Sequence, residues 1–278
     1  MTPDRRAVLA GAAALLATQA RADDARLKLD GALRQGGFVL GRTWPGAMVM
    51  VDGEALTHAS DGGLFIVGFD RDAGPRALIE ARRGGRSAAR ALDIAPFAFD
   101  QTRIDGLPPA TVEPSDPALL ARIAAEARLK AEAFASRAED DAFAAGFDWP
   151  LAQFRVSSRW GAQRVLNGTP ARPHYGLDMA APEGTPILAP GDGRVALAQA
   201  NLHFEGGLTL IDHGQGLVSA YLHQSRLDVG QGDRVRRGQV IGRIGRTGRA
   251  TGPHLCWRLR WRDRNLDPSL LVGVSAPA

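Results

Sequence analysis

Residues 251–261 read TGPHLCWRLRW and hold the only cysteine of the chain, Cys256. Side chains two positions apart on a β-strand point to the same face of a sheet. The alternation predicts a strand whose back is apolar, built from leucine and tryptophan, and whose front is polar. The front is formed by His254, Cys256, Arg258 and Arg260. Imidazole and thiolate groups bind metals. Whether a metal site can form here therefore depends on which other side chains face the polar side of this strand.

The length of 278 residues, with 45% hydrophobic and 23% charged residues, predicts a globular protein of two domains. Residues 1–22 have a charged start, an apolar run and a small-residue ending at Ala20-Arg21-Ala22, a pattern that predicts a cleaved signal peptide. The apolar run is shorter than the roughly 20 residues that a membrane-spanning helix needs. We therefore expect an exported protein of the periplasm or cell envelope, with no stable membrane span after cleavage.

Export changes the interpretation of Cys256, because cysteines in oxidising compartments normally form disulfides and this one has no partner in its own chain. A buried, an intermolecular and a metal-bound thiol all remain open at this point.

Residues 154–278 contain 16 Arg against 9 acidic residues, a net charge of +7, while residues 23–153 carry a net charge of −5. The basic half favours an acidic polymer, with cell wall preferred over nucleic acid, although a solvated arginine-rich surface would look the same.

Residues 23–106 contain short β-type runs separated by glycine turns. Regular spacing of such runs is typical of a small β-sandwich, so we predict a sandwich-like N-terminal domain. One pair of runs is expected to form a hairpin that turns at Gly84 and Gly85. No cluster of ligands or nucleophiles occurs in this part of the sequence.

Residues 107–150 are predicted to form a proline-rich linker and a helix. Ser115 or Asp116 can cap that helix, with Pro117 in its first turn. Its apolar stripe fits a helix that packs on a domain or separates two domains, and is too short and alanine-rich to favour a coiled-coil arm. Residues 151–278 return to short β-type runs with glycine turns and predict a second, all-β domain, so the whole chain is expected to be mainly β.

Three segments of this second domain carry candidate metal ligands. The segment PHYGLDM places His174 and Asp178 four residues apart, a spacing that can direct an imidazole and a carboxylate at one ion. The segment LIDHGQGLVSAYLHQ carries His213 and His223, and the first of these lies in a turn-like sequence that favours a structural role. The strand described above adds a histidine and the cysteine. A catalytic zinc keeps three protein ligands of these types and one open position, although histidine-rich loops also arise without metals.

The order and content of these segments resemble the lysostaphin/LytM-type zinc endopeptidases, which cut peptide bridges in bacterial peptidoglycan. The resemblance covers about residues 154–271 and rests on HYGLDMAAPEGTPILAPGDGRV, IDHGQGLVSAYLHQ and VGQGDRVRRGQVIGRIGRTGRATGPHL. It implies a LytM-like β-sheet peptidase domain over residues 151–278. The earlier stretch GGFVLGRTWPGAMVMVDGEALTHASDGGLFIVGF is similar to the β-domain that precedes the peptidase in Gram-negative members.

Carried over position by position, the resemblance implies that His174 and Asp178 bind Zn²⁺ and that His223 and His254 are catalytic. The third family ligand is the second histidine of a His-x-His motif, and Cys256 stands at that position here. A thiolate binds zinc at about 2.3 Å, so a His, Asp and Cys set remains compatible with the metal. Such a site would also explain an unpaired cysteine in an exported protein.

The resemblance implies a zinc metalloendopeptidase that hydrolyses peptide cross-links of peptidoglycan during cell-wall remodelling. The alternative is a catalytically inactive LytM-like regulator, or peptidoglycan-binding module, that activates a wall amidase. A thiolate ligand favours the alternative because it donates charge and weakens zinc as a Lewis acid. The retained ligands and histidines favour the enzyme. A lipoyl or biotinyl carrier role is excluded because no lysine follows Lys130.

Overall fold

The computed structural model describes residues 26–107, 112, 114–274 and 276–277. The signal peptide predicted for residues 1–22 lies outside these residues. The described chain is mainly β, as predicted, and contains one α-helix within the described ranges. None of the helices described is long and apolar enough to cross a membrane.

The N-terminal sandwich consists of two antiparallel sheets, one with the order β1-β2-β5 and the other with the order β4-β3-β6-β7. Its strands are β1 (Lys28–Gly31), β2 (Phe38–Arg42), β3 (Met48–Val51), β4 (Glu54–His58), β5 (Leu64–Gly68), β6 (Arg76–Arg83) and β7 (Arg86–Asp93). Both sheets bury apolar side chains in the same cluster, including Phe38 and Phe65 from one and Val49 and Ile79 from the other. The predicted sandwich-like domain is therefore confirmed.

The hairpin predicted at Gly84 and Gly85 is also confirmed. Strands β6 and β7 pair as far as Arg83 and Arg86, which leaves the two glycines as the turn. Their φ angles of +51° and +76° lie in the left-handed region, which glycine adopts without steric cost.

Helix α1 (Pro117–Phe134) begins as the sequence predicts. The Asp116 side chain accepts hydrogen bonds from the amides of Ala118 and Leu119, and Pro117 occupies the first turn. The helix lies on the C-terminal sheet, where Leu129 and Phe134 pack against a buried apolar cluster. A short 3-10 helix (Ala142–Ala145) then leads into the second domain.

The C-terminal domain is built around an antiparallel sheet with the order β17-β14-β15-β16-β19-β12-β9. Strand β18 pairs with β13 and β16, and β20 pairs with β19. The strands are β9 (Arg155–Ser158), β10 (Gln163–Leu166), β11 (Thr169–Pro170), β12 (Leu177–Ala180), β13 (Pro186–Leu188), β14 (Gly193–Leu202), β15 (Gly206–Asp212), β16 (Leu217–Leu227), β17 (Arg234–Val235), β18 (Val240–Ile244), β19 (His254–Trp261) and β20 (Arg264–Leu266). A 3-10 helix (Pro268–Leu271) ends the domain.

Strand β19 has the two faces that its alternation predicts. Its leucines and tryptophans are at most 1% exposed and belong to the main hydrophobic core: Leu255, Trp257, Leu259 and Trp261. Cys256 points to the opposite face and joins the smaller cluster on which helix α1 packs. The candidate site and helix α1 therefore share one face of the sheet.

The sandwich packs directly on the C-terminal domain. Gly68 of β5 lies so close to Leu266 that an added Cβ would be 2.8 Å from the leucine side chain. Arg34 forms a 2.8 Å ion pair with Asp267, and one hydrophobic cluster contains buried residues of both domains. A further strand, β8 (Gln101–Ile104), leaves the sandwich and pairs in parallel with β10. Contacts between the two domains are thus both apolar and polar.

Candidate metal centre

The side chains of His174, Asp178 and Cys256 converge at one end of the sheet. Each offers one ligand atom, and these three atoms lie within 4.8 Å of one another. Asp178 on β12 is paired directly with Cys256 on β19, so their side chains project next to each other. His174 comes from the loop before β12, and its Nε2 is 3.0 Å from Asp178 Oδ1 and 3.4 Å from Cys256 Sγ.

The partners of the two ring nitrogens of His174 favour a metal site over a nucleophilic triad. In a triad the two ring nitrogens have different partners, one the nucleophile and the other the carboxylate. Here Nε2 faces both Sγ and the carboxylate, while Nδ1 is 3.2 Å from the Ser158 hydroxyl. Three donor atoms close to one another, with a polar group on the second ring nitrogen, are an arrangement that could hold a metal ion.

Asp178 provides the test of whether a cation fits. Its Oδ1 is buried and has no well-aligned hydrogen bond within the described part of the chain, although His174 Nε2 is close. Buried polar atoms are normally satisfied, and a cation at this point would satisfy this one. The donor set of nitrogen, oxygen and sulfur suits zinc.

The electrostatics of the three groups depend on burial and on their neighbours. Burial opposes ionisation of Asp178, but the imidazole of His174 at 3.0 Å, with His254 and the Arg164 guanidinium nearby, outweighs it and holds the pKa of Asp178 below its usual range. Burial lowers the pKa of His174 and so favours the neutral imidazole that metals bind. Burial, with the nearby Asp178, raises the pKa of Cys256 to about 12. A bound cation reverses that effect, because a coordinating thiol is deprotonated.

The two predicted catalytic histidines lie beside this cluster. The ring centroids of His223 and His254 are 4.7 Å apart, and His254 Nε2 is 3.8 Å from Asp178 Oδ1. In each ring Nδ1 is 2.8 Å from a backbone carbonyl, that of Thr247 for His223 and that of Gly252 for His254. A carbonyl can only accept, so Nδ1 carries the proton in the neutral rings and Nε2 keeps its lone pair.

His223 has a lowered side-chain pKa and a left-handed backbone conformation. Burial, together with the charge of His254, lowers its pKa to about 4, so the ring is neutral at neutral pH. Its backbone has a φ of +68°, in the left-handed region that residues other than glycine seldom adopt. Its amide donates to the Glu205 carbonyl at 2.8 Å. Backbone strain of this kind is often concentrated at functional sites.

Other polar residues of the sequence have different roles. His213 is fully buried, with Nδ1 2.6 Å from the Asp192 carbonyl and Nε2 2.7 Å from the Ser219 hydroxyl, as expected for a structural residue. Arg258 is half-buried and donates from Nε to Cys256 Sγ at 3.5 Å. Arg260, the other arginine on the polar face of β19, lies over the ring of Phe134 in helix α1, with its Cζ 4.9 Å from the ring centroid.

Three residues near the site were not found from the sequence. Ser158 on β9 contacts His174, and Arg164 on β10 has Nη2 3.4 Å from Asp178 Oδ2. Both come from strands with no motif of their own, so only the sheet pairing brings them here. The sequence did offer a signal for Gly176, since this glycine lies midway between the two candidate ligands of HYGLD.

Gly176 supplies a prediction about the metal centre. A Cβ at this position would lie 2.6 Å from Cys256 Sγ and 3.2 Å from His174 Nε2. We expect Gly176→Ala to lower zinc affinity about 10- to 100-fold, the range seen when the surroundings of a metal site are disturbed. Zinc competition with a chromophoric chelator measures the change. Gly74→Ala is the matched control, because nothing lies within 4 Å of its added Cβ, and equal affinities of the two variants would contradict the prediction.

A sequence profile of peptidase family M23 matches residues 172–268. This match covers about a third of the chain, and we call the C-terminal domain that contains it the M23 domain. All five predicted site residues lie within the matched range, whereas the sandwich and helix α1 lie before it.

The M23 domain is similar to curated proteins and to a solved structure. Peptidoglycan DD-endopeptidase ShyA of Vibrio cholerae is 42% identical over 113 residues, which are 40% of this chain and 26% of ShyA. DD-carboxypeptidase/endopeptidase Mpg of Neisseria meningitidis is 38% identical over 128 residues, which are 46% of this chain and 29% of Mpg. The chain thus covers less than a third of the length of these two relatives.

The solved structure extends the likeness beyond the M23 domain. It is the crystal structure of a Pseudomonas aeruginosa protein assigned to peptidase M23, with 27% identity and a TM-score of 0.65. The match covers 87% of this chain and 95% of that one. A match of this extent reaches beyond the M23 domain into the part of the chain that precedes it.

Proposed function

We propose that this protein is a zinc-dependent endopeptidase that hydrolyses peptide cross-links of peptidoglycan. The observation that carries the proposal is the convergence of His174, Asp178 and Cys256 beside the His223 and His254 pair, inside an M23 domain. The names of ShyA and Mpg support the substrate, because both describe endopeptidases and the first specifies peptidoglycan. We further propose that the protein acts after export, in the periplasm or cell envelope.

His174, Asp178 and Cys256 are the residues that would hold the zinc ion. A bound zinc ion would supply a Lewis acid for hydrolysis of the amide. The protein's own contribution is to fix the three donor atoms, through the pairing of β12 with β19 and the contact between Ser158 and His174.

The two histidines supply proton transfer. In its neutral form each ring has a lone pair at Nε2, so either can accept a proton from an attacking water. The protonated ring then becomes a donor at the same atom, suited to stabilising the developing oxyanion or protonating the leaving amine. The carbonyls of Thr247 and Gly252 keep both rings oriented during these steps.

The charges around the site favour an anionic substrate. Arg164 and Arg258 place guanidinium groups next to Asp178 and Cys256, within a C-terminal half that is basic overall. Peptides that carry free carboxylates close to the scissile amide are attracted to such a site, and this favours the acidic peptides of a cell wall.

The test is the release of soluble muropeptides from purified peptidoglycan by a chain of residues 23–278. The assay is run with a chelator and with added zinc. We expect zinc-dependent loss of cross-linked muropeptides. No release under any metal condition, by a folded protein that also fails after removal of the sandwich, would refute the proposal and favour a regulator that activates a separate wall amidase.

A further inference from the structure

Helix α1 is attached to the turn that joins β14 to β15, residues 203–205. Lys130 Nζ is 2.5 Å from Glu205 Oε1. Glu126 Oε2 accepts a 2.8 Å hydrogen bond from the amide of His203. The position of this turn therefore depends on a helix that lies outside the range matched by family M23.

The ion pair of Lys130 and Glu205 is largely removed from solvent. The two side chains are only 18% and 12% exposed, and Glu205 Oε2 is buried without a hydrogen bond among the described residues. Removing one partner of a buried pair leaves an uncompensated charge, which is strongly unfavourable. The Glu205 carboxylate also interacts electrostatically with Arg249 and Arg258, so without Lys130 we expect it to shift towards them and to displace the turn.

The same turn fixes the backbone of His223. The carbonyl of Glu205 accepts the His223 amide hydrogen at 2.8 Å and supports its left-handed φ of +68°. The turn also packs against Thr247, whose carbonyl orients the His223 ring, and a Cβ on Gly206 would overlap the Thr247 hydroxyl. A displacement of the turn consequently moves both contacts that hold His223.

We propose that helix α1 is a positioning element for His223, acting through the Lys130–Glu205 ion pair. The part of the chain needed for full activity would then begin with helix α1 at residue 117, rather than at residue 172 where the M23 match starts. The catalytic part of this inference depends on the proposed function, whereas its structural part, the dependence of the His223 backbone on Lys130, can be measured without any activity.

The experiment uses Lys130→Met in the full chain. Its first measurement is hydrogen exchange of the His223 amide by NMR, compared with the amides of residues 217–221 on the same strand. We expect exchange of the His223 amide to become about 10-fold faster while the other amides are unchanged. The second measurement is hydrolysis of a cross-linked muropeptide, for which we expect kcat to fall about 10- to 100-fold with KM and zinc content unchanged.

Two further variants make the result specific. Arg128→Met removes an exposed cation from the same helix and should leave both measurements at the wild-type level. Lys130→Arg keeps a cation within reach of Glu205 and should retain most of both the His223 protection and kcat, whereas a role of Lys130 that does not depend on its charge would not predict this rescue.

The possible results distinguish failure of the positioning role of Lys130 from failure of the proposed endopeptidase function. Unchanged exchange of the His223 amide and unchanged kcat in Lys130→Met would overturn the positioning role. A wild-type protein that cleaves nothing would refute the proposed function, while the exchange measurement would still decide whether Lys130 holds His223.

Discussion

Replacement of Cys256 by alanine is expected to abolish stoichiometric zinc binding. The thiolate is one of three donor atoms within 4.8 Å, and its loss leaves only His174 and Asp178. Mutation of residues that hydrogen-bond to a metal ligand already lowers metal affinity about 10- to 100-fold. Loss of a ligand itself should therefore lower zinc affinity more than about 100-fold. Zinc content after dialysis, measured by elemental analysis, provides the readout, and peptidoglycan hydrolysis should disappear with the metal.

Cys256→His is the matched control for this prediction. It replaces a thiolate with an imidazole, which zinc also binds, and creates the His-x-His pattern of the resembling family. We expect this variant to retain zinc and to be at least as active as the wild type, since imidazole donates less charge to the metal than thiolate. Full zinc content in Cys256→Ala would show that the thiol is only a buried packing residue.

Replacement of His223 by asparagine is expected to reduce turnover about 10²- to 10⁴-fold, the usual contribution of a general acid or base. Asparagine tolerates left-handed backbone, so it suits the φ of +68°, and its amide can still donate to the Thr247 carbonyl. It has no counterpart of the Nε2 lone pair. Turnover of cross-linked muropeptides is the measurement, and zinc content should remain at the wild-type level because His223 is not among the three proposed ligands.

His254→Asn should behave in the same way, since Nδ1 of His254 is also bonded to a carbonyl and only Nε2 is available for chemistry. His58→Asn, at an exposed histidine of the sandwich, is the control for a histidine replacement without effect. If either active-site variant lost zinc together with activity, its histidine would have to be counted with the metal ligands. If either kept wild-type turnover, it would have no part in proton transfer.

Local sequence patterns were sufficient for much of the fold. The alternation in HLCWRLRW predicted both faces of β19, and Ser115 or Asp116 followed by Pro117 predicted the start of helix α1, where Asp116 is the cap. The two glycines after Arg83 predicted a hairpin turn. Each of these features depends on residues a few positions apart, so single-sequence periodicity and turn chemistry contain the information.

The remainder of the site depends on pairing between distant segments. Asp178 faces Cys256 only because β12 and β19 pair in one register, and a shift of one residue would turn the two side chains to opposite faces. Arg164 reaches Asp178 because β10 is placed by β8, a strand about sixty residues earlier in the chain. Such contacts have no local signature, and only the sheet topology reveals them.

The hydrophobic cluster that joins the sandwich to the M23 domain has a thermodynamic consequence. Buried residues of both domains belong to one cluster, and the Arg34–Asp267 ion pair reinforces their boundary. Segments that share a core lose their packing together, so the two domains should unfold as one cooperative unit with a single calorimetric transition. A cavity made at Phe65, far along the chain from the proposed metal ligands, would then lower the melting temperature of the M23 domain as much as that of the sandwich.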